Sequence, residues 1–313
     1  MATLLAVLPL FAMILLGFFA ARIRLVSEAA STGIVNYIYF FALPPMLIAM
    51  LSGAKPEKLL AGSHFIGAMF LTEIIIAGLA VLWAWWTYGH QAIGIAGFSI
   101  LGFSACFSNG VFLSVPLAIA ALGPEAAAPA LLLVTLDIML FVIVTFLLEN
   151  GRIGGSRAAL SALEAVATNP IILATLVGLA LAFFSLQLPP PLQAFVDFVG
   201  PAAAPTALFA LGLTLAMHPV NAASAKPAGV VVILKLFAQP ALAALILFNM
   251  PGIDPLWRVV GVLFAAGPVG MNAYLFARRY EVGVAPVSTA IVISTGLSVF
   301  SLSALLLYFG HIN

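Results

Sequence analysis

The sequence predicts an all-α polytopic membrane protein with ten transmembrane helices, built as two inverted five-helix repeats. Three observations carry that expectation. Hydrophobic residues fill 64% of the 313 positions and charged residues 7%, against about 45–50% and about 25% in soluble domains. So few charges do not cover a soluble surface of this size. Apolar runs of about 20 residues, the length that crosses a bilayer as a helix, recur ten times. Two of those runs, one in each half, are interrupted at matching places. The first reads Cys106-Phe-Ser-Asn109-Gly110-Val-Phe112-Leu-Ser-Val-Pro116 and the second Ala265-Ala-Gly267-Pro268-Val-Gly270-Met-Asn272.

Taken in order, the spans fall at roughly 3–21, 34–51, 62–86, 92–121, 127–149, 169–187, 194–217, 229–250, 257–280 and 285–309. The first is apolar from Leu4 to Ala21; it lacks a basic flank, exceeds a signal-peptide core in length and precedes more spans, so it reads as a helix. Span 2 carries Pro44 and Pro45. Span 3 has Glu73 at its middle and closes on Trp83, Trp85 and Trp86, where an aromatic belt belongs. Span 4 is the first interrupted run, and span 5 has Asp137 at its middle. Span 7 carries Pro201 and Pro205, span 8 carries Lys235 and span 9 is the second interrupted run. The longest polar stretch separates the halves, which gives a first repeat over 1–149, a central cytoplasmic loop over 150–168 and a second repeat over 169–313.

Lys and Arg stay in cytoplasmic loops. With the N-terminus outside, the cytoplasmic side holds Arg22, Arg24, Arg152, Arg157, Lys226, Arg278 and Arg279, and the outer side Lys55, Lys58 and Arg258. Both termini are therefore expected outside, and an odd number of spans per half makes the repeat inverted. A shift of 157 residues places Pro44 on Pro201, Gly110 on Gly267 and Pro129 on Pro286. Composition alone yields about two such coincidences at any offset; the argument rests on where they fall, mid-helix in spans 2 and 7, at the two breaks, and at the start of spans 5 and 10.

Interrupted helices at corresponding positions of two halves point to the binding site of a secondary transporter, because unwound backbone in hydrocarbon is tolerated only where protein or a wet cavity satisfies it. Half-helix N-termini carry partial positive charge and free N–H groups that suit an anion such as a carboxylate, and Asn109 and Asn272 add donors and acceptors. The expected substrate site is thus Asn109, Gly110, Phe112, Pro116, Gly267, Pro268, Gly270 and Asn272. Kinking alone is the bland reading of the same residues, and a matched pair of breaks each with an Asn weighs against it.

An ionised side chain at the bilayer centre costs about 3 kcal/mol on insertion scales, so Glu73, Asp137 and Lys235 each need a partner or a wet cavity. Glu73 and Lys235 read either as a proton-coupling device with Asp137 or as a permanent internal ion pair. Pro44, Pro45, Pro201 and Pro205 read as kinks of the scaffold, and Gly94 with Gly97 as a helix-packing pair. Arg278 and Arg279 suit either attraction of anions to a cytoplasmic mouth or positive-inside anchoring. The four His residues sit at span ends, and the single Cys106 is in an apolar stretch, so no metal site, cofactor or disulfide framework is expected. A net charge of +1 implies no nucleic-acid partner. An intramembrane enzyme needs a nucleophile with a base or clustered ligands, and Ser108 and Ser114 have no His at comparable depth. A channel is the other competing class; unlike a carrier it shows no saturation and no counterflow.

The opening Leu8-Pro9 to Gly17 helix, Phe41-Ala-Leu-Pro44-Pro45, Asn109-Gly110-Val-Phe-Leu-Ser-Val-Pro116-Leu, and Gly267 to Asn272 together resemble the auxin efflux carrier family, which groups plant PIN carriers with bacterial carriers of malonate, malate and similar anions. The likeness spans nearly the whole chain and is most specific in span 4. It implies an NhaA-like, PIN-like elevator fold with spans 1, 2, 6 and 7 as scaffold and spans 3–5 and 8–10 as transport domain. It also implies a small organic anion carried at the crossing of spans 4 and 9, coupling to a proton or to sodium, and a homodimer in the bacterial inner membrane. The central loop is under twenty residues, unlike that of the plant carriers, and the spacing of Asn272 after Gly267-Pro268 makes its role less transferable than that of Asn109.

Overall fold

A computed structural model describes residues 2–53, 62–152, 167–217 and 222–310, together with 160, 163 and 164. The described chain is helical throughout, without a strand. Lys55, Lys58, Arg157, His218 and His311, and most of the central loop, lie outside the described residues.

Among the described residues six helical stretches are long and apolar enough to cross a membrane: Glu28–Ser52, Ser63–Tyr88, Pro124–Arg152, Pro190–Met217, Ala222–Asn249 and Val284–Phe309. Shorter apolar helices accompany them, among them the halves of the two interrupted runs, Ile93–Cys106, Gly110–Leu122 and Pro255–Ala265. In chain order the α-helices are α1 (Ala2–Arg22), α2 (Glu28–Tyr37), α3 (Leu43–Ser52), α4 (Ser63–Tyr88), α5 (His90–Cys106), α6 (Val115–Leu122), α7 (Ala127–Arg152) and α8 (Pro170–Phe183). They continue with α9 (Pro190–Val199), α10 (Ala203–Met217), α11 (Ala225–Ile233), α12 (Gln239–Asn249), α13 (Pro255–Ala265), α14 (Met271–Arg279) and α15 (Val284–Gly310). Their starts follow local rules: Asn169 accepts from the Ile171 and Ile172 amides ahead of Pro170, and Asp254 accepts from the Leu256 amide ahead of Pro255. Each supplies an N-cap oxygen with proline at the first helical position.

The outer faces stay apolar. Trp86 is 84% exposed on α4, Phe198 85% on α9 and Phe300 74% on α15. An apolar surface of this extent is covered by lipid rather than water.

Three spans contain a five-residue π turn, and all three are built the same way. The turns cover Ile38–Ala42, Gly110–Ser114 and Leu234–Ala238. Each is followed two residues later by a proline: Pro44, Pro116 and Pro240. A helical proline clashes with the carbonyl four residues back, which is the third residue of each π turn. Widening the turn moves that carbonyl aside. The amide just before the proline bonds five residues back instead, Leu43 to Ile38, Val115 to Gly110 and Gln239 to Leu234. Pro45 follows Pro44 into α3, while Pro201 sits in a 3-10 turn, Gly200–Ala202, that joins α9 to α10 and leads to Pro205. A Cβ on Gly200 would lie 3.1 Å from Met46 Cα, so the irregular parts of spans 2 and 7 cross in contact.

Spans 1 and 7 pack backbone to backbone. A Cβ added at Gly17 would strike the Phe209 carbonyl, and one at Gly212 would strike that of Ile14, a reciprocal small-residue contact of the kind that holds membrane helices together. Gly94 and Gly97 behave otherwise than expected. Gly94 has φ +59° with open space where a Cβ would stand, and Gly97 faces the Ile93 side chain of its own helix. Gly94 marks a kink in α5 rather than a contact with a neighbour, because a positive φ is a backbone requirement that Gly alone meets cheaply.

Replacing Gly212 by Val should force spans 1 and 7 apart at a cost of about 1–3 kcal/mol, typical of overpacking. A lower apparent melting temperature for purified Gly212→Val than for Gly229→Val is the expected outcome, since Gly229 faces open space; equal melting would show that the contact is slack.

Candidate functional site

The two interrupted helices meet at their unwound centres. Ser108 and Val269 form an isolated antiparallel bridge. The Asn109 amide donates to the Pro268 carbonyl at 2.8 Å, and the Gly270 amide to the Phe107 carbonyl at 3.0 Å. This is the non-hydrogen-bonded pair of an antiparallel ladder, flanked by its two cross-strand bonds. Ser108 Oγ donates to the Phe264 carbonyl at 2.8 Å, and Ser294 Oγ on α15 accepts from the Val269 amide at 3.1 Å.

Such closeness requires glycine at three places. A Cβ on Gly267 would strike Ser114 Oγ, one on Gly270 the Phe107 ring, and one on Gly110 the Phe264 ring. Phe107 is itself fixed by a cluster of rings, its centroid 4.7 Å from Phe103 and 5.2 Å from Phe141, with Phe276 of α14 a further 5.7 Å from Phe141.

The four half-helix ends are treated differently. Both C-terminal ends are capped from span 8. Lys235 Nζ donates to the carbonyl of Ala265, the last residue of α13, at 2.6 Å and to Gln239 Oε1 at 2.6 Å. Gln239 Nε2 donates to the carbonyl of Cys106, the last residue of α5, at 2.9 Å. One side-chain pair, four residues apart, thus satisfies both broken ends, with the cation at a negative helix terminus. The two N-terminal ends, the Gly110 turn that leads into α6 and the start of α14, instead face cavities.

Three contiguous cavities share Asn272. Two, of about 20 Å³ each, are bounded by Asn109 and Phe112; Gly110, Asp137 and Phe141 close one, and Tyr39, Leu211 and Met271 the other. The third, about 120 Å³, is lined by Tyr39, Phe141, Thr145, Asn169, Asn272, Phe276 and Arg279. Asn109 is 2% exposed, and its Nδ2 has no hydrogen-bond partner. Leaving a buried donor unmade costs about 1–3 kcal/mol, so this amide is poised for an acceptor in the cavity.

Of the residues expected at the site, Asn109, Gly110, Phe112 and Asn272 line these cavities. Pro116, Gly267, Pro268 and Gly270 contribute through backbone bonding and close packing. Asp137 lies beside the crossing, its Oδ2 at 3.3 Å from where a Gly110 Cβ would stand. Glu73, Asp137 and Lys235 are all buried, and Lys235 interacts electrostatically with both carboxylates. The ammonium, however, spends its hydrogen bonds on Gln239 and Ala265, while Glu73 Oε2 and Asp137 Oδ1 have no hydrogen-bond partner. Pro44, Pro45, Pro201 and Pro205 stand apart from the cavities, in the kinks of spans 2 and 7 described above. Among the described residues no three His, Cys, Asp or Glu side chains come together as a metal site.

Sequence reasoning missed Gln239, Ser108, Tyr39, Thr145 and Asn169. Gln239 was findable, since it lies four residues from Lys235 and directly before Pro240. Tyr39 and Asn169 carry no such signal, because only the packing of spans 2 and 6 brings them to the cavity.

Residues 2–306 match the family model described as Membrane transport protein. The chain belongs to this family, the auxin efflux carrier family of membrane transporters. A Rhizobium meliloti (strain 1021) protein, provisionally named a malonate transporter, is 31% identical over 305 residues, covering 96% of this chain and 93% of its own length. The Arabidopsis thaliana auxin efflux carrier components 5 and 8 are 27% and 23% identical over 329 and 338 residues, each alignment covering 92% of this chain and 91% and 92% of theirs. A family of membrane transporters accords with a site built on two paired helix breaks.

The crossing can be tested by a double-mutant cycle. Gly267→Ala should lower the apparent melting temperature and abolish uptake, as the new methyl meets Ser114 Oγ. Adding Ser114→Ala should restore part of the melting temperature, with a coupling of about 1–2 kcal/mol expected for side chains in contact. Strictly additive effects would show that the two positions do not meet.

Proposed function

We propose that the protein is a secondary carrier of a small organic anion of the carboxylate class, such as malonate, malate or an auxin-like acid, bound where spans 4 and 9 cross. The observation that carries this reading is the buried, unpartnered Asn109 amide beside two half-helix N-termini at one cavity. First-turn amides of the Gly110 and Met271 segments add donors, and both helix ends add positive potential. Asn272 is shared by all three cavities and is the second side-chain ligand on this reading.

The remaining features follow as parts of the same proposal. Ten spans in two inverted repeats, 1–149 and 169–313 about a 150–168 loop, place both termini outside a bacterial inner membrane. Spans 1, 2, 6 and 7 form a scaffold, joined by the Gly17–Gly212 and Met46–Gly200 contacts, against which spans 3–5 and 8–10 move as an elevator. The cavities lie between these two groups of helices: Tyr39, Asn169 and Leu211 belong to the first, and Asn109, Asp137, Asn272 and Arg279 to the second. Glu73 and Asp137 are the groups that would take up a proton or a sodium ion during transport, and Lys235 holds the crossing together rather than forming a simple pair. A homodimer through the scaffold completes the proposal. The relatives named for malonate and auxin transport support the substrate class.

Purified protein screened with malonate, malate and indole-3-acetate should melt at higher temperature with at least one of them, as selective binding to the folded state requires. Asn109→Ala should weaken that ligand by about tenfold or more, the loss of a hydrogen bond to a charged group, and reduce counterflow in proteoliposomes accordingly. Unchanged affinity and counterflow in Asn109→Ala would rule the crossing out as the binding site.

A further inference from the structure

The two adjacent arginines at the end of α14 face different cavities. Arg278 donates to Tyr274 Oη at 3.3 Å and lines a different cavity of about 260 Å³ with Glu28 and Asn36, which shares Val35, Met271 and Leu275 with one of the 20 Å³ cavities but does not include Arg279. Arg279 lines the 120 Å³ cavity that also contains Asn272. The reason is helical spacing: Asn272, Leu275, Phe276 and Arg279 fall at i, i+3, i+4 and i+7, one face of α14. Arg279 stands about two turns along that face from Asn272, its guanidinium 5.9 Å from the Tyr280 ring centroid, and both residues line the same cavity.

Of the residues lining this cavity Arg279 alone carries a charge; Tyr39, Thr145 and Asn169 supply neutral polar groups. Inward from Asn272 the space narrows to the two cavities of about 20 Å³ at Asn109. Each admits about one water or one small head group, since about 10–15 Å³ of such volume holds a water. The arrangement is bipolar. A narrow inner pocket offers helix N-termini and the Asn109 amide, and a wider outer one offers a guanidinium.

We propose that Arg279 is a specificity-determining residue that binds the second carboxylate of a dicarboxylate whose first carboxylate lies at the Asn109 crossing. This rests on the carboxylate-carrier reading above and narrows it to dianions whose two carboxylates reach from the inner cavities to the outer one. Guanidinium suits the role because its planar fork pairs a carboxylate through two parallel hydrogen bonds. A monocarboxylate has no second carboxylate to make use of it.

The test measures affinities of malonate and succinate against acetate and butyrate, by thermal shift and by competition in proteoliposome counterflow. The proteins are wild type, Arg279→Gln, Arg279→Lys, Arg278→Gln and Asn109→Ala. Arg279→Gln should weaken the dicarboxylates by about tenfold or more, the scale of a lost charge-assisted pair, while changing the monocarboxylates by less than about twofold. Arg279→Lys should recover part of the dicarboxylate affinity, and Arg278→Gln, the same loss of charge one residue away, should behave as wild type. Equal weakening of both acid classes by Arg279→Gln, no weakening, or the same selective loss in Arg278→Gln would each overturn the assignment. Asn109→Ala separates the two levels: it should weaken both acid classes. If it weakens neither, or if no carboxylate binds the wild type, the carrier-site reading fails and this assignment falls with it.

Discussion

Unwound backbone inside a membrane has to find its hydrogen bonds within the protein, and the structure depends on how this chain meets that demand. Around the crossing the Asn109 and Gly270 amides pair across the two breaks. The Val269 amide goes to Ser294, the Phe264 carbonyl to Ser108, the Ala265 carbonyl to Lys235 and the Cys106 carbonyl to Gln239. The first two and the Ser108 bond join the two breaks directly, and the others tie them to spans 8 and 10. That contact in turn fixes glycine at 110, 267 and 270 and draws spans 4, 5, 8, 9 and 10 around a single point.

The same accounting gives the site its electrostatic character. Side chains of span 8 close both C-terminal ends, so the negative helix termini are neutralised by a buried cation and an amide. The N-terminal ends are left to the cavities. Two such ends, each equivalent to about half a positive charge, together amount to about one. Asp137 beside Gly110 carries one negative charge when ionised, which is of the same size. The potential at the crossing therefore depends on the charge of Asp137 together with that of Glu73 and Lys235, which interact with it. On the proposed carrier reading, this would link anion binding to protonation at a cavity that Asp137 itself lines.

The membrane class, the positions of the breaks and the residues at the crossing were legible in the sequence, because each leaves a local mark. An apolar run, a Gly-Pro pair or an Asn amid hydrocarbon can be recognised without knowing what lies opposite. The π turns at Ile38–Ala42 and Leu234–Ala238 were half legible: a proline inside a span signals an irregularity, but not that the helix widens rather than kinks. The partners of Lys235 were not legible. A buried cation near a buried carboxylate suggests an ion pair by composition. Which acceptor it reaches depends on where α13 ends in space, and Ala265 becomes that end only because Gly267 and Pro268 stop the helix. Tyr39, Thr145 and Asn169 were invisible for a simpler reason. Thr145 sits within an unbroken helix, Tyr39 in the π turn of span 2 and Asn169 at the cap of α8, and only the packing of spans 2, 5 and 6 around α14 turns them towards a shared cavity.

Cavity size adds the last step. The inner cavities admit about one water each, whereas a small dicarboxylate has several times that bulk, so it fits only if it extends into the 120 Å³ space between the two helix groups. Tyr39 and Asn169 wall that space on one side, and Asn272, Phe276 and Arg279 on the other. A ligand held there touches both walls, so its affinity depends on their relative position. On the proposed elevator reading, a shift of one helix group along the other would change which wall the ligand meets, while the crossing, held by its own hydrogen bonds, would travel intact. Ligand binding and relative displacement would then be coupled through geometry: the crossing would keep the carboxylate contacts, and the facing wall of spans 2, 6 and 7 would decide when the site is open.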